Sequence, residues 1–243
     1  MTGAVFRLGK LIVATEGYSE AGNPLHRRLI PVQTGMVATD PLSDTQWSDL
    51  GFANNETFAD CSRAATYLQR TADNRLVIGA RGNYQPGGLP QYGLGDTRAT
   101  GQQRERIALS LFPQIAGARF TYNWGGRVGV PRSWHPHVIH DTYSDIATAG
   151  AYVGEGVGAS LLFGQTLAEL LTGEDTDRTR MPWVTRHSLE ELKRWEPEAL
   201  PRLGLKATMM AFGAEEWLLE RYGAGVPAKG VGWLCDLLDA NQK

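Results

Sequence analysis

Apolar and polar positions near the start of the chain fall into short β-type runs. Leu11 to Ala14 is one, closed by Thr15-Glu16-Gly17-Tyr18, and Ile30 to Thr39 is a second, closed by Asp40-Pro41. Thr66 to Thr71 and Arg75 to Gly79 flank the polar turn Ala72-Asp73-Asn74, the pattern of an antiparallel hairpin. After a Gly/Pro-rich loop from Gly82 to Gly95, Ile107, Ala108, Leu111 and Phe112 recur at helical spacing within Arg104 to Phe112, and Pro113 ends that helix. Phe120, Tyr122 and Trp124 then alternate with Arg119, Thr121 and Asn123, which predicts a half-buried strand running into Gly125-Gly126.

The most ordered pattern runs from Ile146 through Gly158 to Leu171: a strand, a glycine-rich turn, then a helix. Gly156, Ser160, Gly164 and Ala168 recur every fourth residue, so one helix face is nearly bare and can approach a sheet or a ligand, while Leu161, Leu162, Leu167, Leu170 and Leu171 flank it. From Gly173 the composition turns polar and Pro/Trp-containing, predicting a surface-crossing extension that leads to a final helix from about Leu205 to Tyr222. No internal repeat or low-complexity tract is present.

The 243 residues suffice for one large domain or two small ones. With 24 Lys+Arg against 26 Asp+Glu, and no run of five or six like charges, nothing favours nucleic acid or a membrane surface as a partner. Cys61 and Cys235 lie far apart and outside any C-x-x-C pattern, which argues against a disulfide scaffold or a zinc ribbon and fits a cytoplasmic location. The first apolar run is too short to span a bilayer.

Three constellations could carry chemistry. The turn at Gly154, Gly156 and Gly158 would present backbone N–H groups and the positive end of a helix dipole to an anion or a developing negative charge. Its spacing is not the dinucleotide Gly-x-Gly-x-x-Gly, and a tight turn without a ligand is the alternative. His135 and His137, within His135-Pro136-His137-Val138-Ile139-His140, could hold zinc or copper if they shared a strand face. Pro136 interrupts that strand and no third ligand is evident, so a histidine-bearing loop is favoured and no metal site is assigned. Arg70 and Arg81 flank the hairpin with Tyr84 beyond, where an arginine fork could anchor a carboxylate or lie solvated on a sheet edge.

In order along the chain, Leu11-Ile12-Val13-Ala14-Thr15-Glu16-Gly17-Tyr18, Pro31-Val32 to Leu42, Arg70-Thr71-Ala72-Asp73-Asn74-Arg75 with Gly79-Ala80-Arg81-Gly82, Trp124-Gly125-Gly126, Ala149 to Val157, Gly164 to Leu170 and Trp195-Glu196-Pro197-Glu198 resemble the second half of the D-amino-acid-oxidase superfamily, especially the branch similar to gamma-glutamylputrescine oxidase. The resemblance implies an α/β (α+β) flavoprotein binding FAD. It divides the chain into a partial FAD-binding domain (1–24 and 118–172), a substrate domain with a mixed, largely antiparallel sheet (25–117) and a C-terminal helical extension (173–243). It further implies Ala14 and Thr15 near the FAD pyrophosphate, and Gly125, Gly150, Tyr152, Gly154, Glu155, Gly156 and Val157 at the flavin. Arg81, Tyr84 and Arg127 would then face the substrate, with Arg127 offset by one position from the arginine that related oxidases place after Trp-Gly-Gly. One position along a strand reverses the face.

The expected activity is oxidation of the C–N bond of an amine or amino acid by hydride transfer to flavin N5, with no general base required. The N-terminal βαβ unit carrying Gly-x-Gly-x-x-Gly is expected to be missing, so the chain alone should bind FAD weakly and could require a separately encoded N-terminal half. A non-catalytic truncated chain or interaction module is the alternative.

Overall fold

The computed structural model describes residues 9–19, 22–52, 56–63, 65–79, 98–185, 188–197 and 199–240. Among these, the strands are β1 (Leu11–Val13), β2 (Leu29–Thr39), β3 (Thr57–Ala59), β4 (Tyr67–Arg70), β5 (Leu76–Gly79), β6 (Phe120–Pro131), β7 (His137–Asp141), β8 (Ile146–Gly150) and β9 (Val184–Thr185). The helices are α1 (Asp44–Leu50), α2 (Arg98–Leu111), α3 (Gly156–Thr172), α4 (Ala199–Tyr222) and α5 (Val226–Ala240). They fall into two units, Met1–Pro31 with Val128–Pro201 and Ala240–Lys243, and Val32–Arg127 with Arg202–Asp239.

The first unit is built on a mixed four-stranded sheet in the order β1-β8-β7-β9. β1 runs parallel to β8, β7 antiparallel to β8, and β9 parallel to β7. The sheet is covered on both faces, which is why β7 and β8 are almost wholly buried. On one face Phe163 and Leu167 of α3 pack against Val138 and Ala147, and Phe163 stacks on Trp183. On the other, Ile139 and Val13 meet Leu25, Leu29, Leu189 and Leu192.

The segment that supplies Leu189 and Leu192 is strapped down by polar contacts. Arg28, 4 % exposed, donates to the Leu192 carbonyl and to Glu190, and Arg27 donates to the carbonyl of Trp195. The Trp195 indole N–H donates to the Val130 carbonyl, and the Arg132 guanidinium lies over its ring. These bonds satisfy groups that would otherwise be buried at a cost.

The second unit holds a five-stranded sheet, β3-β4-β5-β2-β6, with antiparallel pairing through β3, β4, β5 and β2. The β4–β5 hairpin turns where the sequence predicts it. Asn74 takes the left-handed conformation (φ +62°), and its side-chain oxygen accepts from the Arg70 guanidinium. In the cross-strand pair Tyr67↔Gly79 the tyrosine ring covers the space a glycine Cβ would need. Val37, Leu68, Leu76 and Ile78 form a core with Trp47 and Phe52, and Ile115 and Ala108 join it. Arg63 donates to Glu215 of α4 and Asp236 of α5.

Several elements differ from expectation. α2 begins six residues before Arg104, α4 begins six before Leu205, and α5 was not expected. β6 continues through Gly125-Gly126 to Pro131, and His137 begins a strand instead of lying in a loop. Pro136 sits just outside β7, where its missing N–H removes no ladder bond.

Candidate functional site

Arg81 and Tyr84 lie outside the described residues. Gly125 and Arg127 are on β6 in the second unit. A Cβ on Gly125 would lie 2.6 Å from the Thr34 carbonyl oxygen, so a side chain there would force the two backbones apart. The Arg127 side chain is buried. The remaining predicted residues, Ala14, Thr15, Gly150, Tyr152, Gly154, Glu155, Gly156 and Val157, belong to the first unit, where the end of β1 and the β8–α3 turn come together.

The β8–α3 turn is unusual in its backbone. Ala151 (φ +64°), Val153 (φ +51°) and Gly154 (φ +106°) are all in left-handed conformations, which costs on the order of 1–2 kcal/mol for each residue bearing a Cβ. Glu155 occupies the N-cap of α3 without a side-chain cap bond. Val157 is 97 % exposed, and nothing lies within 4 Å of where a Gly158 Cβ would be. The first turn of this seventeen-residue helix thus carries the positive end of its dipole with no side-chain cap bond and with exposed side-chain positions at Val157 and Gly158.

Beside this turn is a cleft of about 580 Å³. Ile12, Ala14 and Ala149 form the strand wall, and Ser160, Gly164 and Ala168 the helix wall. From Ser160 onward the every-fourth-residue stripe thus faces the cleft, while Phe163 turns to the sheet and Leu167 borders both. Lys10 donates to the Leu171 carbonyl at 2.8 Å, joining the start of β1 to the negative end of α3. Thr15 accepts from Asn23 and shares a hydrogen bond with Ser19, so its hydroxyl holds the local turn.

Two residues were not singled out for these roles. The Glu16 carboxylate accepts from the Ala151 amide at 2.9 Å, the Tyr152 amide at 3.3 Å and the Gly129 amide. Burial pushes its pKa up against the opposing pull of those three N–H donors. Burial, and secondarily the charge of Glu16, raises the Tyr152 hydroxyl. The second is His137, 4 % exposed, with no partner for either ring nitrogen; burial lowers its pKa to about 4. His135 is exposed, so the two imidazoles lie in different environments. Among the described residues no three His, Cys, Asp or Glu side chains converge as a metal site would require. A signal for Glu16 was present in sequence only as an acidic residue closing the first short apolar run.

A profile of FAD dependent oxidoreductases matches residues 2–170, more than half of the chain. The chain belongs to this family. Gamma-glutamylputrescine oxidoreductase of Escherichia coli K12 is 31% identical over 183 residues, covering 71% of this chain and 40% of that protein. A probable oxidoreductase OrdL of Haemophilus influenzae is 26% identical over 170 residues, covering 68% of this chain and 36% of its own length. In fold the chain is similar to glycine oxidase from Geobacillus kaustophilus, with a TM-score of 0.59 and 22% identity over 77% of this chain and 48% of that one. The chain thus spans well under half of these curated relatives.

The cofactor of an FAD-dependent family presents a flat ring system with a polar, electron-rich edge. The first unit offers matching chemistry: a helix N-terminus without a side-chain cap follows the turn, and the cleft beside that turn is mostly apolar, with Ala14, Ala149, Gly164 and Ala168 leaving room between Ile12, Tyr152, Leu167 and Leu171. No helix among the described residues is long and apolar enough to cross a membrane.

Proposed function

We propose that this chain supplies the flavin-facing turn and the substrate sheet of an oxidoreductase that oxidises the C–N bond of an amine or amino acid. The uncapped N-terminus of α3 beside the cleft carries this reading. FAD, when bound, supplies the acceptor at N5 for the hydride leaving the carbon that bears nitrogen. The amides at Gly156, Val157 and Gly158 are suited to hold the negative charge that then develops on the ring edge, because their dipole is already oriented. Ala14 and Gly164 leave room for a planar group, and Tyr152 borders it. No proton acceptor is assigned, since a neutral amine needs none. Arg127, Arg81 and Tyr84 are proposed to face the substrate.

A second reading is favoured by the share of the relatives that the chain spans, 36% and 40%. On that reading the chain holds FAD poorly by itself and either pairs with a separately encoded N-terminal half or serves as a non-catalytic module. Titrating FAD into the purified chain, alone and with an N-terminal half of the gamma-glutamylputrescine oxidoreductase type, tests both. The expected result is weak or no binding alone, and a yellow complex bleached by an amine without oxygen when the halves are combined. A colourless, inert mixture sinks the catalytic reading, and tight stoichiometric FAD on the chain alone sinks the second.

A further inference from the structure

We propose that Glu16 is a positioning residue whose carboxylate locks the end of β1, strand β6 and the β8–α3 turn into one frame, and thereby sets the direction of the α3 amides. This deepens the flavin reading of that turn and rests on it.

The carboxylate takes three N–H bonds from two other chain segments at once: Gly129 of β6, and Ala151 and Tyr152 at the turn. Space has been cleared for it on two sides. A Cβ on Gly129 would lie 3.0 Å from Glu16 Oε2, and one on Gly150 would lie 2.9 Å from the same oxygen. The backbone of Glu16 is itself left-handed (φ +46°), a conformation glycine would adopt without strain. A side chain retained there, at a conformational cost and with two glycines around it, is held by what its oxygens bind.

Among the described residues no cation pairs with Glu16. The backbone amides are therefore what stabilise its charged form, and the ionised state and the turn geometry depend on each other. Two titratable groups face it. One is Tyr152, whose own hydroxyl responds to the Glu16 charge. The other is His137, directly opposite Gly150 in the β7–β8 register and therefore on the face where the Glu16 oxygen lies. At this turn the Ala151 and Tyr152 N–H groups are held by Glu16, and the Glu155 N–H by the Tyr152 carbonyl, directly ahead of α3. Fixing the two residues before Val153 and Gly154 fixes where the helix begins.

The test uses the full chain labelled with 15N. The Ala151 and Tyr152 amide resonances should move together between pH 4 and 8, with a midpoint above the ordinary carboxylate range, and this movement should vanish in Glu16→Gln. In Glu16→Ala both amides should exchange with solvent about tenfold faster, corresponding to loss of about 1.4 kcal/mol of local protection. Persistence of the titration in Glu16→Gln, or unchanged exchange in Glu16→Ala, overturns the lock. In whichever preparation takes up FAD, Glu16→Gln should weaken its binding about tenfold; unchanged affinity overturns the positioning role. If no wild-type preparation takes up FAD, the functional reading fails, and the amide measurements still decide whether Glu16 is the lock.

Discussion

His137 sets the acid response of the first unit. Its folded pKa of about 4 lies below the ordinary 6.5, so the neutral ring is stabilising above pH 6.5 and that contribution is lost as pH falls towards 4. By pH 5 the loss should be about 2 kcal/mol relative to pH 7.5. Glu16 acts in the opposite sense. A carboxyl raised by burial stabilises most below its ordinary value of 4.5, and that contribution is lost as pH rises through the folded pKa. The histidine should win because its shift is the large one. Urea unfolding of the wild type should therefore show reduced stability at pH 5, and His137→Phe should abolish most of the difference. An identical pH dependence in the variant would show that the ring is not buried as described. Neither behaviour was legible in the sequence, where His137 reads as a metal ligand or a loop residue, because burial is decided by the strand pairing of β7 with β8 and β9.

At the scale of elements, α3 separates two uses of a helix. Its Phe163 side is packed against Val138 and Ala147 and supplies stability, whereas its Ser160, Gly164 and Ala168 side faces the cleft, with Leu167 bordering both. Gly164→Ala should therefore raise the stability of the chain by about 0.5–1 kcal/mol, since nothing lies within 4 Å of the added methyl and the helix loses a glycine. Gly164→Leu should leave stability close to wild type yet abolish flavin uptake by the combined halves, read by FAD titration; uptake at wild-type affinity would remove the cleft from the site. This bare stripe was legible in sequence because period and residue size coincide. So was the β4–β5 hairpin, whose Asn74 can adopt a left-handed turn. α5 was not legible: Pro227, Gly230 and Gly232 read as breakers, although proline is tolerated in the first turn of a helix. Gly232 is also where Glu215 of α4 comes within 2.8 Å of a would-be Cβ, a tertiary reason for a helical glycine that no local pattern carries. β6 was cut short for the same reason, because Gly125 reads as a strand end until its approach to the Thr34 carbonyl is seen.

Across the whole molecule, residues far apart in sequence close the first unit. Trp195 reaches Arg27 and Val130, and Arg28 reaches Leu192, separations of up to 168 positions. Trp195→Ala should cost about 3–5 kcal/mol, because it removes a buried indole, its hydrogen bond and the surface on which Arg132 rests. Thermal unfolding measures this, and a loss below about 1 kcal/mol would mean the strap does not close the unit. The tryptophan stood out in the sequence, within Trp195-Glu196-Pro197-Glu198, but its partners could not be named from there. The left-handed Val153 has a different consequence. A branched side chain is poorly suited to φ +51°, so Val153→Gly should relieve strain and raise the melting temperature. The same change gives the turn more conformations to lose when a ligand arrives, so the sturdier protein should be the weaker binder. Selection for heat resistance alone would then be expected to erode this turn first, and a thermostable variant of this chain deserves sequencing at position 153 before its flavin affinity is interpreted.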